Sequence, residues 1–255
     1  MNWVGKRSWL HEDELYSPKR KVSNKGSRKY THIIGSFPSI KMNRHIGYES
    51  LWGECLFYYF LELDPMTIRY YPQPINIQLQ LINKDFVKVK KEHVPDVLVF
   101  REGKMPHLYQ IKGGNEATEQ APHLYKACTD YCNDKGWKYS VIYPKTMPPI
   151  VKRNLQSIMH YKHPRSDFDA FSHEIIKKAH FYQNSSIELL AKSFIVKTDY
   201  RNILPHIYHL IFLGKLKVNL FAPMNLSSEV IIGNLSQELL SFFKTESEDY
   251  ETEDK

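Results

Sequence analysis

Residues 93–112, HVPDVLVFREGKMPHLYQIK, constrain the fold of this chain more than any other stretch. Two apolar runs flank the turn REGKMP, a hairpin-like spacing that brings adjacent strand ends together. Pro95 stands at the start of the first strand rather than inside it, where its missing N–H is tolerated. Three polar side chains interrupt the apolar runs: Asp96, Gln110 and Lys112. Gln110 and Lys112 are two residues apart and so share a strand face. A strand lysine usually reaches solvent, and Asp after Pro at a strand start is ordinary turn chemistry. A lysine beside a carboxylate is a different matter, because each lowers the cost of burying the other.

The surrounding patterns extend this pair into an α/β domain over residues 31–160. A helix is expected near Tyr48–Leu63, ended by LDP. QPINIQLQL alternates Ile75, Ile77, Leu79 and Leu81 with polar residues and reads as a strand. DFVKVKK, HVPDVLVF and HLYQIKG follow as second, third and fourth strands, the first three forming a meander. A helix runs at least from Pro122 to a stop at Gly136, and WKYSVIYPK is the fifth strand. PKTMPPIVKRNL is a linker or connecting helix. Over 165–243 the pattern changes: a short helix with a Ser N-cap (SSIELLAKSF), a second helical stretch (TDYRNILPHIYHLIFLGKL) stopped at Gly214, then KLKVNLF, a turn at APMNLSS, and EVII. Helix, helix and β-hairpin is the layout of a winged helix-turn-helix.

Charge narrows the partner. The chain carries a formal +7. Residues 1–30 are basic and expected to be flexible until bound, whereas 244–255 form an acidic tail expected to be disordered. A basic body favours a polyanionic partner, most economically nucleic acid. No apolar run is long enough for a membrane span and the N-terminus lacks a signal core, so the expected location is the bacterial cytoplasm, without a membrane partner. Three cysteines, Cys55, Cys128 and Cys132, do not make a disulfide scaffold and read as buried thiols. The histidines between 163 and 180 fit no ligand spacing, and Gly113–Gly114 is no phosphate loop, giving backbone room instead.

The third element of the site lies on the helix YESLWGECLFYYFLELDP. Leu51, Phe57, Tyr58 and Leu61 surround Glu54 at helical spacing, so this carboxylate sits on an apolar, inward face. Such a position is expensive unless the acid is paired or metal-bound. Glu49, the second choice, lies well round the helix and should face solvent.

Glu on a helix, Pro-Asp on a strand and a Lys on the next strand resemble the PD-(D/E)xK nuclease superfamily. The usual acid of the last motif is here Gln110, giving QIK, and that departure resembles the TnsA family of transposon endonucleases. SFPSIKMNRHIGYESLWGE is similar to that family's lead-in to its catalytic helix, and ELDPMTIRYYPQP to the segment after it, with a proline directly following Gln73. The resemblance covers roughly 30–240. It implies a restriction-endonuclease-like mixed sheet flanked by helices plus a C-terminal winged-helix-like domain. It implies Mg2+, with Mn2+ able to substitute. Asp96 is the main ligand, with the Gln110 amide oxygen and the Ile111 carbonyl beside it. Glu54 binds a second metal or orients a metal-bound water, and Lys112 stabilises the attacking hydroxide. Glu54, Asp96 and Lys112 are thus the expected catalytic residues.

The implied activity is nicking of the 5′ transposon ends, in a complex with the DDE-type transposase TnsB and the AAA+ regulator TnsC, the latter through the C-terminal domain. A stand-alone restriction-like or repair nuclease and a non-catalytic DNA-binding adaptor are the alternatives; Gln110 keeps the latter open. ILPHIYHLIFL occupies the recognition-helix position yet is nearly all apolar, whereas base readout needs Arg, Asn or Gln. Protein docking or packing is expected there, with DNA contacts from Lys215, Lys217 or the basic N-terminal segment.

Overall fold

The structure, a computed structural model, describes residues 3, 5–20, 34–82, 88–112 and 122–245 of the 255. Lys21, Lys25, Arg28 and Lys29, Gly113–Gly114 and the acidic residues 246–255 lie outside the described residues. The chain forms two compact units: residues 1–62, 66–145 and 243–255 in the first, 63–65 and 146–242 in the second.

In chain order the first unit holds α1 (Leu10–Leu15), β1 (Gly35–Ser39), β2 (Arg44–Tyr48), a π-helical turn (Leu51–Cys55), α2 (Leu56–Leu63), β3 (Thr67–Pro72), β4 (Ile77–Ile82), β5 (Lys88–His93), β6 (Val97–Arg101), β7 (His107–Ile111), α3 (Pro122–Lys135) and β8 (Lys138–Pro144). Next come the second unit's α4 (Pro149–Met159), α5 (Phe168–Tyr182), β9 (Ser185–Ser186), α6 (Ile187–Lys192), α7 (Tyr200–Phe212), β10 (Leu216–Val218), β11 (Glu229–Ile232) and α8 (Ser236–Leu240). The final strand, β12 (Phe243–Thr245), returns to the first unit.

The first unit is built on a five-stranded mixed sheet, flanked by helices, in the order β12-β8-β7-β6-β3. β7 and β8 run parallel, joined through α3, and the other pairs are antiparallel. Gly103, at φ 67°, takes the left-handed position that reverses the chain between β6 and β7. β6 and β7 are central, and Val97, Leu98, Val99, Leu108 and Tyr109 are fully buried. α2 packs on this sheet through Phe57, whose ring meets Tyr109 at 5.0 Å and Phe243 at 5.5 Å.

Two expectations need correction here. The three-stranded meander does not form: β4 and β5 pair with each other, and β6 pairs instead with β3, TIRYYP, a strand not foreseen. The N-terminal segment is not loose over residues 5–20. The rings of Trp3, Trp9 and Tyr16 close on Phe100 at 5.0, 5.3 and 6.0 Å, and Asp13 takes a bond from the Tyr71 hydroxyl at 2.9 Å and pairs with Arg69 at 2.5 Å. Aromatic area pinned by the Asp13–Arg69 pair orders a segment that composition marks as polar.

In the second unit β10, β11 and β9 make a small antiparallel sheet. Ser186 caps α6 by accepting the Leu189 N–H at 3.1 Å, as the sequence suggests. α7 buries Ile203, Ile207, Leu210, Ile211 and Phe212, so its apolar length is spent within its own unit. The boundary expected at 160–165 falls at 145/146 because α4 belongs here: Asn154 donates to the carbonyls of Leu220 and Ala222 at 2.9 and 2.7 Å and accepts the Met224 N–H at 3.2 Å, pinning the β10–β11 connection. Among the described residues no helix is long and apolar enough to cross a membrane.

Candidate active site

The β6–β7 register pairs Val97 with Tyr109, so one step further Asp96 stands opposite Gln110. The Asp96 carboxylate is only 6 % exposed. Its Oδ2 accepts the Ile111 main-chain N–H at 2.6 Å and a short bond from Gln110 Nε2. A carboxylate that takes a ladder N–H lies at the end of the ladder, in the plane of the sheet. Side chains from either face can therefore reach it. Lys112 continues the β7–β8 ladder by donating its N–H to the Ile142 carbonyl at 2.9 Å. Its ammonium charge is felt at Asp96, where it favours the ionised acid.

Glu54 enters from the helical side. The helix expected from Tyr48 begins later, because Tyr48 ends β2 and Ser50 caps the turn, accepting the Gly53 N–H at 3.0 Å. The first turn is π-helical: the Cys55 N–H reaches the Ser50 carbonyl at 3.0 Å. Such turns are uncommon and concentrate at functional sites, since they re-aim one side chain. Gly53 makes this turn possible, because a Cβ there would lie 2.8 Å from Ser50 Oγ and 3.3 Å from Ile111 Cγ2. Gly53 therefore lets the Glu54 turn approach β7 closely. Glu54 is 7 % exposed, and its Oε2 accepts the Glu49 N–H at 2.7 Å.

The electrostatics follow from this burial. Desolvation pushes the Glu54 carboxyl well above the usual carboxylate range, and the Asp96 charge pushes it further. Asp96 is also raised, by burial first, against the lowering effect of the Ile111 N–H, Arg20 and Lys112. Two buried carboxyls that each disfavour the other's charge form an electron-rich centre short of positive charge. Gln110 Oε1 adds a third oxygen, buried and with no hydrogen-bond partner. Carboxylate and amide oxygens with an unfilled demand for positive charge suit a hard divalent cation. Among the described residues no three His, Cys, Asp or Glu side chains converge on a metal position. A cation here would therefore draw on the Gln110 amide oxygen and a main-chain carbonyl such as that of Ile111 as well as on the acids.

Glu49 is not simply solvated, as expected from its helical position. It pairs with Arg20 at 2.5 Å. Arg20 also meets Gln73: the Gln73 amide donates to the Arg20 carbonyl at 2.8 Å and accepts from its guanidinium at 3.3 Å. Gln73 is in turn tied to the site, donating its main-chain N–H to the Asp96 carbonyl at 2.7 Å. The Arg20 charge reaches both acids and lowers their pKa values. Neither Arg20 nor His93 is marked by the sequence as part of this site. His93 lies three residues before Asp96, and its ring interacts with the Gln110 side chain.

The other acid of the helix, Glu62, is structural. It is buried and satisfied by Ser39 Oγ, by the Ile40 N–H at 3.2 Å and by the Tyr70 hydroxyl at 2.8 Å. Cys128 and Cys132 are buried on α3, where burial pushes their thiols up to about 11 and about 12.

Compared with known proteins, the chain matches no protein-family model and no curated sequence.

Proposed function

We propose that the chain is a metal-dependent DNA endonuclease, the TnsA-like subunit of a heteromeric cut-and-paste transposase that nicks the 5′ ends of its element. One observation carries the reading: the buried Asp96 carboxylate is bonded by Gln110 and Ile111 at a strand end, beside a second buried acid, Glu54, and within the field of Lys112. A structural ion pair has no need of two repelling acids and an orphaned amide oxygen around one point. A bound Mg2+ or Mn2+ would supply a polarised water and neutralise charge on the scissile phosphate. Asp96, Gln110 Oε1 and the Ile111 carbonyl would hold that cation, and Glu54 would orient a water or hold a second ion. Lys112 would stabilise the charge that builds on the attacking oxygen and the phosphate during hydrolysis. Gln110 in place of an acid removes one negative charge from the metal shell, which fits a site that assembles fully only with DNA and its partners.

The five-stranded mixed sheet supports a restriction-endonuclease-like first domain. Two helices followed by the β10–β11 hairpin support a winged-helix-like second domain. The burial of α7 favours its packing role over base reading. DNA at the transposon ends, TnsB and TnsC are the proposed partners.

The test is strand-specific nicking of end DNA with Mg2+ and the cognate transposase. Asp96→Ala and Lys112→Ala are each expected to lose activity by a factor of at least about 10². Equal cleavage by wild type and both variants overturns the assignment. Vigorous cleavage by the wild-type chain without the transposase points to a stand-alone nuclease.

A further inference from the structure

The chain enters Asp96 from a ribbon that stands apart from the main sheet. Among the described residues β4 and β5 pair only with each other, and β5 ends at His93, three residues before Asp96. β4 packs on α3 and buries Ile77 and Leu79. β5 does not follow it inward. The register sets Lys91 opposite Leu79, yet Val89, Lys90, Lys91 and Glu92 are all exposed. Burial therefore stops at β4, and β5 is an outer edge strand with both faces in solvent. Its one acid here, Glu92, is engaged across the pair, accepting from the Gln78 amide at 2.7 Å. Among the described residues neither Lys90 nor Lys91 pairs with an acid.

Successive strand residues point to opposite faces, so the two ammonium groups flank the edge. Alternate residues of an antiparallel pair also turn main-chain N–H groups outward, and on an edge strand no ladder takes them. Ammonium groups on either side of a row of N–H donors are complementary to a row of phosphates. Lys90 and Lys91 lie six and five residues before Asp96, which at about 3.3 Å per extended residue is a reach of at most about 20 Å. A duplex strand advances about 3.4 Å per nucleotide, so that reach spans at most about six nucleotides.

We propose that β5 lies edge-on along the phosphate backbone of duplex DNA beside the nicked bond, with Lys90 and Lys91 binding phosphates within about six nucleotides of it. This rests on the endonuclease reading above. The contact sets the register of the duplex against Asp96 and carries no base readout.

The experiment uses the full-length chain and a short duplex spanning the nick mapped in the assay above, with Ca2+ in place of Mg2+ to hold off cleavage, read by fluorescence anisotropy over a series of salt concentrations. The double variant Lys90→Gln, Lys91→Gln is expected to bind at least about tenfold more weakly and to flatten the slope of log affinity against log salt by about 1.8, the share of two phosphates. Neutral methylphosphonates placed singly within the six-nucleotide span should weaken wild type at particular positions and leave the double variant unaffected there. If no neutral linkage in the span weakens wild type, the inference falls whatever the variant does. Unchanged affinity and slope in the variant also overturn it, and leave the lysines as guards against strand pairing. If Asp96→Ala meanwhile loses nicking, the endonuclease reading stands and only the ribbon is excluded. If Asp96→Ala nicks as well as wild type, that reading falls and this inference with it.

Discussion

Glu54→Gln removes one of the two buried acids and keeps an oxygen to accept the Glu49 N–H, which Glu54 takes at 2.7 Å. Burial is the largest cause of the raised Glu54 pKa, and Asp96 is the second. An acid whose pKa rises on folding holds its proton longer in the folded chain than in the unfolded one. Its contribution to stability is complete below the unfolded pKa and is lost as pH climbs towards the folded value. One such proton gives a slope of about 1.4 kcal/mol per pH unit. In metal-free buffer, wild type should therefore lose about 1–3 kcal/mol relative to Glu54→Gln between about pH 5 and about pH 7. That corresponds to a relative fall in Tm of about 3–10 °C for a chain of this size. Thermal unfolding by circular dichroism in chelator, at several pH values, measures it; comparing the two proteins cancels the titration of histidines elsewhere. Adding Mg2+ at neutral pH should raise the wild-type Tm more than that of the variant, because the cation neutralises the pair that the variant lacks. A Tm difference that stays constant with pH, or a variant less stable than wild type at about pH 7, refutes the argument that these two acids repel each other in the folded chain.

Gly53→Ala forces a Cβ to within 2.8 Å of Ser50 Oγ and 3.3 Å of Ile111 Cγ2. It should cost about 1–3 kcal/mol in chemical denaturation and lower divalent-cation affinity by shifting Glu54 away from β7. Trp9→Ala strips one ring from the cluster on Phe100 and should lower stability by about 1–2 kcal/mol, with limited proteolysis then cutting before residue 20; unchanged protection would show that the docking contributes nothing. Lys215 is exposed and Lys217 half-exposed, its ammonium 3.5 Å from Glu238. Reversing both to Glu should weaken binding to duplex DNA about tenfold or more and flatten its salt dependence; unchanged affinity would remove the second unit from the DNA interface.

What could be read from the sequence was what is local. Asp96 and Gln110 face each other across a single hairpin whose short turn sets the register, so strand periodicity alone brings them together. Glu54 is betrayed by its apolar neighbours on one helical face. β3 was not legible: Arg69 interrupts TIRYYP, a bulge follows Thr67, and its partner β6 is about thirty residues away in the chain. The docking of Trp3 and Trp9 could not be read either, because the ring they close on, Phe100, lies some ninety residues away. The same distance effect divides the site by charge. Both acids betray themselves as misfits in apolar elements. The cation that balances them, Arg20 beside Glu49, sits in a polar stretch where a charge is unremarked. A sequence therefore exposes the half of such a centre that is costly to bury and conceals the half that makes the burial tolerable.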